Sequence, residues 1–352
     1  MEFSISAKSF KDILDAARHA VPSSPSVAVF AGVQITAENN AVLVTGSDGE
    51  TTIQATTDQA SVVKAGSAVL APRPIMTFLA SLDPDAKVSV LLQDSEVVVS
   101  VDKLSPYKFR TLGTKLPTQL NLKGESRPVD FSKLQDAIVA LRAAVNREHM
   151  GVQLISDDTQ LSLYVTDYYR LHSATLAESS FGAFTGVVPL SVLERIAHHR
   201  PHSIVVDDKG RAIRCISDTA TITARLLQVA FPDVAGALSR TPATRTDINV
   251  AAAKSALSRL ASVSDGAAVT VWGDTDGLHL DVANAEVGSG SELIAAAPSE
   301  IRFIVDRQYL LDALLSHHTE TVSLGFSSQF EAVFFQSTTP FPTTSVVMPM
   351  RV

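Results

Sequence analysis

Short runs of alternating apolar and polar residues are followed, three times along the chain, by apolar residues three and four apart. Phe3 and Ile5 lead into Phe10, Ile13, Leu14 and Ala17; Val129 and Phe131 into Leu134, Ala137, Ile138 and Leu141; Ile248 and Val250 into Ala253, Ala256, Leu257 and Leu260. The alternation predicts a strand, and the wider spacing an amphipathic helix with one buried stripe and one free face. A second helix is expected after Val69-Leu70-Ala71, Val187-Val188 and Phe303-Ile304-Val305, and its start recurs at a fixed interval: Pro72, Pro189 and Asp306 stand 117 residues apart. Ile75, Val192 and Tyr309 follow in register, as do Met76, Leu193 and Leu310, and then Val88, Val205 and Val322 on the next strand. Middle strands are predicted at 41–45, 160–165 and 277–282, and closing hairpins pair 87–92 with 96–101, 203–206 with 212–216 and 321–324 with 332–335.

Two helices packed on antiparallel sheet in each repeat define an α+β fold class. Solenoid units run only about 20 to 50 residues, so a repeat of this length predicts three similar small domains in a row. Their expected limits are 1–122, 123–245 and 246–352, because 121–128 and 239–245 are polar, proline-containing and aperiodic.

Composition supports three cores: of 352 residues, 45% are hydrophobic and 19% charged. The N-terminus lacks a secretory pattern, and no apolar run approaches the roughly 20 residues that span a bilayer. Cys215 is the single cysteine and is expected to be a buried small hydrophobe. Together these features predict a cytoplasmic protein with no membrane attachment. The net charge of −8 argues against nucleic acid only until the charges are placed. The expected helices and their ends carry twelve basic residues against seven acidic ones. Each such charge is either a solvated surface group or part of a surface that meets phosphate.

The usual residue patterns for catalysis and metal binding do not occur in the sequence. Asp274-Thr275-Asp276-Gly277 starts like a calcium loop, but Leu278 occupies the third oxygen position and the closing Glu is missing, so a turn is expected. Gly288-Ser289-Gly290-Ser291 lacks the lysine of a phosphate loop and is expected to be a flexible loop. His198-His199 and His317-His318 are adjacent residues near helix ends, where side chains about 100° apart do not chelate one ion without outside ligands. A helix C-terminus favours imidazolium, which accounts for them without a metal. No cofactor is expected, and an enzyme is disfavoured.

Three stretches carry a family resemblance: Val165-Thr166-Asp167-Tyr168-Tyr169-Arg170-Leu171, Phe231-Pro232-Asp233 and the terminal Val346-Val347-Met348-Pro349-Met350-Arg351-Val352. With the threefold repeat, they closely resemble the bacterial sliding clamp family, the β subunit of DNA polymerase III. The resemblance implies a non-catalytic processivity factor for DNA replication: two chains join head to tail as a homodimer, forming a closed six-domain ring around double-stranded DNA without reading its sequence. Twelve helices at about 10 Å each would line a hole on the order of 28 Å across. Arg73, Lys133, Arg142, Arg147, Arg195 and Lys254 are the expected DNA-facing cations. Tyr107, Phe109 and Val263 occupy the places of the subunit seam, with core packing as the competing explanation.

The family also holds short peptides of the polymerase III α subunit, the clamp loader and repair proteins in an apolar cleft. By position that cleft maps onto Met150, Thr166, Tyr168, Tyr169, Arg170, Leu171, Pro232, Val346, Val347, Met348, Pro349, Met350 and Arg351. The chain departs from many relatives in Val234-Ala235-Gly236-Ala237, which removes rim charge, in Tyr168, where some clamps have glycine, and in Ser345, where tyrosine is common. These departures open a rival reading: a specialised clamp copy, drug-resistant or phage-encoded, with altered partner preference. An enzyme built on three α+β repeats is a remoter alternative.

Overall fold

The computed structural model describes Met1 to Arg351 except residues 103, 118–119, 121, 146–150, 264–265 and 297–300. Seven helices are described: α1 (Ala7–Arg18), α2 (Pro72–Ala80), α3 (Leu134–Leu141), α4 (Leu190–His199), α5 (Ala235–Leu238), α6 (Val250–Leu260) and α7 (Arg307–Leu315). Apart from the single turn α5, they are the two helices expected in each repeat. The sequence explains their starts. Ser6 Oγ accepts the Ser9 N–H at 3.1 Å ahead of α1, Asn249 Oδ1 accepts the Ala252 N–H at 2.8 Å ahead of α6, and Asp306 Oδ1 accepts those of Gln308 and Tyr309 ahead of α7. Pro72, with its φ already set for a helix and no N–H to satisfy, opens α2.

The chain forms two compact units, residues 1–130 with 194–226 and residues 131–193 with 227–352. In the first, one antiparallel sheet of thirteen strands runs from Ser126–Pro128 to Ser61–Lys64. The strand Thr221–Arg225 lies beside Thr51–Thr57, with Ile222 opposite Ile53, so strands of the second repeat extend the sheet of the first. The second unit holds an eight-stranded sheet and a four-stranded sheet. There Arg170–Leu176 pairs with Thr343–Val347, joining strands of the second and third repeats with Leu171 opposite Val346. The repeated positions do similar work: Ile75, Val192, Val88, Val205 and Val322 are all buried. A Cβ at Gly46 would collide with the Ala17 carbonyl, so glycine is what lets α1 lie against the strand Ala41–Ser47.

The hairpins 203–206 with 212–216 and 87–93 with 96–101 form where the alternation places them. Three details differ. The strand before α3 ends at Pro128, and Val129 continues it only through its N–H, which donates to the His202 carbonyl at 3.0 Å. Gly288–Ser291, expected as a loop, opens the strand Gly288–Ala295, because cross-strand bonding to Leu278–Asn284 outweighs the low strand propensity of glycine and serine. The stretch 239–245 gives way at Thr244 to the strand Thr244–Asn249. Asp274–Gly277 is the expected turn, with Asp274 Oδ1 accepting the N–H groups of Asp276 and Gly277. Among the described residues, no helix is long and apolar enough to cross a membrane.

Candidate functional site

A turn fixed by its own side chains forms one wall of an open cleft. Between the strands Leu161–Thr166 and Arg170–Leu176, Thr166 Oγ1 donates to the Arg170 carbonyl at 2.7 Å and accepts the Tyr168 N–H at 3.1 Å. Asp167 Oδ1 accepts the N–H groups of Tyr169 and Arg170. The turn requires Tyr168 at φ +73°, the left-handed region that glycine adopts most easily. Both tyrosines project outward, 61% and 64% exposed.

Thr166, Tyr168, Tyr169, Arg170, Leu171, Pro232, Val346 and Met348 line a cavity of about 200 Å³ together with Asp233, Val234 and Ala237. Its floor is a small apolar cluster of Leu171, Val234, Ala332, Phe334 and Val346. Tyr168, Tyr169 and Met348 also border a wider cavity of about 600 Å³, shared with Asp306, Tyr309, Pro349, Met350 and Arg351. The terminal segment is held by two backbone bonds: the Met348 N–H donates to the Tyr169 carbonyl at 2.9 Å, and the Met350 N–H to the Ile304 carbonyl at 2.7 Å. The arrangement suits an extended apolar segment, with adaptable methionine and aromatic surface and few polar fixings.

Three expectations for the cleft change. Val347 is fully buried in the core of the third repeat, because alternation along Thr343–Val347 turns it away from Val346. Ser345 faces the same way, its Oγ 2.5 Å from Ser316 Oγ, so its replacement of a tyrosine leaves the cleft wall untouched. Arg170 is already engaged. Its Nε donates to Asp167 Oδ2 at 2.9 Å, Nη1 donates to Asp312, Nη2 donates to the Ala143 carbonyl at 2.8 Å, and the guanidinium lies 4.3 Å from the centre of the Tyr309 ring. Burial, with the Asp167 charge, pushes the Tyr309 phenol up from its ordinary value. Met150 lies outside the described residues. Val234 and Ala237 are lining that the motifs alone did not mark, although they belong to the noted departure after Phe231-Pro232-Asp233. Tyr309 was visible only as a repeat position.

Of the helix cations, Arg73, Lys133, Arg142 and Lys254 are exposed. Arg195 differs: its side chain is 19% exposed, and Nη1 donates to Asp48 Oδ2 at 3.4 Å. Arg147 lies outside the described residues. At the expected seam, Tyr107 is 48% exposed and its ring centroid stands 4.3 Å from that of Phe78. Phe109 packs on the first core and Val263 on the third. The strand Tyr107–Gly113 is internal to its sheet, but its pairing with the strand Gly66–Leu70 reaches only Thr111 and Gly113. Among the described residues, Tyr107 to Arg110 therefore pair on one side alone.

Burial, and not the helix terminus, sets His199 and His317. His199 is pushed down to about 4 and His317 to about 3, by desolvation first and neighbouring histidines second, so the expected imidazolium is replaced by the neutral ring. Burial likewise pushes the Cys215 thiol up to about 12, as suits an inert core residue. Among the described residues, one group places three metal-ligating side chains together: His19, His198 and His199, with ligand atoms within 4.8 Å of one another.

Two family models match the chain, the DNA polymerase III beta subunit N-terminal domain over residues 1–115 and its C-terminal domain over residues 237–351. A beta sliding clamp of Chlamydia trachomatis is 23% identical, with all of this chain and 87% of the relative aligned. A beta sliding clamp homolog, GriR, of Streptomyces muensis is 25% identical over 86% of this chain and 85% of its own. The crystal structure of a sliding clamp of Pseudomonas aeruginosa bound to griselimycin superposes with a TM-score of 0.89 at 21% identity, covering all of both chains.

Proposed function

The chain belongs to the DNA polymerase III beta subunit family, the beta sliding clamps, and on that premise we propose that it encircles double-stranded DNA and tethers replication proteins to it. The observation that carries this reading is end-to-end coverage: the chain and a solved clamp align over the whole of both, with two helices in each repeat. The repeats are three clamp domains, 1–122, 123–245 and 246–352. Two chains close a ring, since a pair of head-to-tail contacts related by a twofold axis cannot grow into a fibre.

The half-free strand at Tyr107–Arg110 and the edge strand Gly288–Ala295 offer unpaired backbone in the first and third repeats. Exposed Val287 and Leu293 add apolar surface at the second of these. Joining them across two chains would remove both open edges, with Tyr107 and Phe109 on one side and Val263 behind the other. The mechanism is topological: the cytoplasmic ring holds DNA without a covalent step, and Arg73, Lys133, Arg142 and Lys254 meet phosphates loosely and without sequence preference.

The cleft receives an extended peptide of the polymerase α subunit, the clamp loader or another clamp-motif protein. Its apolar groups enter the space over Leu171, Val234 and Val346, and its flank meets Tyr169, Met348 and Met350. Arg170 acts as a positioning residue, stiffening the turn that carries both tyrosines.

Loading the protein on nicked circular DNA and then linearising the DNA tests the ring. Retention on circles with loss from linear DNA is expected; equal retention on both contradicts a topological link. Tyr168, standing over the cleft, favours a second reading as a specialised copy with altered partner preference. Weak affinity for the host polymerase's own clamp motif, with the ring intact, would select it.

A further inference from the structure

We infer that His19, His198 and His199 form a site for a divalent transition-metal ion of the zinc class, bound through three imidazole nitrogens with a fourth position open to water. Two helix ends bring the rings together. His19 is the residue that closes α1, in helical conformation at φ −64°. His198 and His199 are the last residues of α4, which Arg200 ends by turning to φ +47° while its N–H bonds the Ile196 carbonyl at 3.1 Å. The ring centroids stand 4.9 Å (His19 to His198), 5.0 Å (His198 to His199) and 6.0 Å (His19 to His199) apart. Tetrahedral zinc at about 2.0–2.1 Å sets its nitrogens about 3.3 Å apart. Ligand atoms already within 4.8 Å reach that spacing by small side-chain rotations.

A second observation points to a ligand. His199 is 9% exposed, and its Nε2 is buried without a hydrogen-bond partner among the described residues. A buried polar nitrogen left unbonded is costly, and a metal ion is one partner that would satisfy it. Metal binding needs neutral imidazole, and burial holds both His19 and His199 below their ordinary value.

The surrounding charges permit a dication. Arg18 is paired with Asp15 at 2.6 Å and Arg195 with Asp48 at 3.4 Å, so both nearby cations have carboxylate partners. The Asp15 charge also acts directly on His19 and His199. Three imidazoles and no thiolate suit zinc, nickel or copper far better than magnesium or calcium. Nothing in the sequence marks His19 as a neighbour of His198, 179 positions later; the fold supplies the outside ligand that two adjacent histidines lack.

The test is zinc titration of the full-length, tag-free chain by calorimetry, repeated with cobalt as a spectroscopic probe. One ion per chain is expected, with the visible absorption of low-coordinate cobalt and a zinc-dependent rise in melting temperature. His19→Ala and His198→Ala should each weaken binding at least about tenfold, while His202→Ala, an exposed control, leaves it unchanged. His198 is exposed, so its variant keeps the fold, which equal melting of variant and wild type in chelator verifies. Absence of stoichiometric binding, unchanged affinity in both variants, or equal competition by magnesium would each overturn the assignment.

Discussion

The guanidinium carbon of Arg170 lies over the Tyr309 ring, 4.3 Å from its centre, although 139 residues separate them in the chain. The contact ties the turn of the second repeat to the helix α7 of the third, and Asp312 on the same helix accepts from Nη1 of that arginine. Side chains of Arg170 and Asp312 are 12% and 11% exposed, and without Asp312 the guanidinium keeps Asp167 as its one carboxylate partner among the described residues. Asp312→Ala is expected to cost about 2 kcal/mol in urea unfolding. Arg170→Lys should lose the forked hydrogen bonds and the stacking together, weakening peptide binding as well as stability. Unchanged peptide affinity in Arg170→Lys would show that the arginine does not position the cleft.

Tyr168 occupies a backbone conformation that costs most residues about 1–2 kcal/mol. Glycine would remove that strain, offset by about 0.5–1 kcal/mol of extra chain entropy. Tyr168→Gly is therefore expected to leave the melting temperature nearly unchanged while opening the 200 Å³ cavity. Fluorescence anisotropy with a labelled clamp-motif peptide should then show tighter binding for bulky apolar residues. Weaker binding would mean that the tyrosine is a contact and not an obstruction.

Two buried histidines make the second unit acid-sensitive. His172 is pushed down to about 4 by burial, and His317 to about 3 by burial with His172 and His318 adding to it. Unfolded, both have ordinary values near 6.5. The unfolded chain thus takes up protons first as pH falls, and the stability present above pH 6.5 is lost progressively, toward pH 4 for His172 and toward pH 3 for His317. A loss of about 1–2 kcal/mol per histidine between pH 7 and pH 5 is expected. His172→Gln should flatten the pH dependence of the urea midpoint; an unaltered slope would place the acid-sensitive groups elsewhere.

Periodicity was enough to find six of the seven helices and the closing hairpins, because a buried stripe repeats locally and needs no knowledge of distant chain. What it could not give was pairing across repeats. Ile222 beside Ile53, and Leu171 beside Val346, are edge-to-edge choices that strands of similar composition leave open. The cleft motifs were legible as a set of residues, but not their facing: a single-residue alternation sends Val346 to the cleft and Val347 to the core. The carboxylate partners of Arg170 and Arg195 were hidden as well. A basic residue reads as free until the fold sets a carboxylate such as Asp312 or Asp48 beside it.

That last distinction separates the helix cations into two groups with different expected behaviour on DNA. Arg73, Lys133, Arg142 and Lys254 are exposed, whereas Arg195 is 19% exposed and held by Asp48. Each phosphate contact contributes about −0.9 to the slope of log K against log salt concentration. Replacing the four exposed cations with alanine should flatten that slope, measured by anisotropy on a duplex of arbitrary sequence between 50 and 200 mM salt. It should also shorten residence on circular DNA without altering peptide affinity. Arg195→Ala alone should leave the slope nearly unchanged and show its effect as a small loss of stability, since the ion pair with Asp48 is partly screened by solvent. A larger slope change from Arg195→Ala than from any exposed cation would mean that Asp48 releases the arginine when DNA is present.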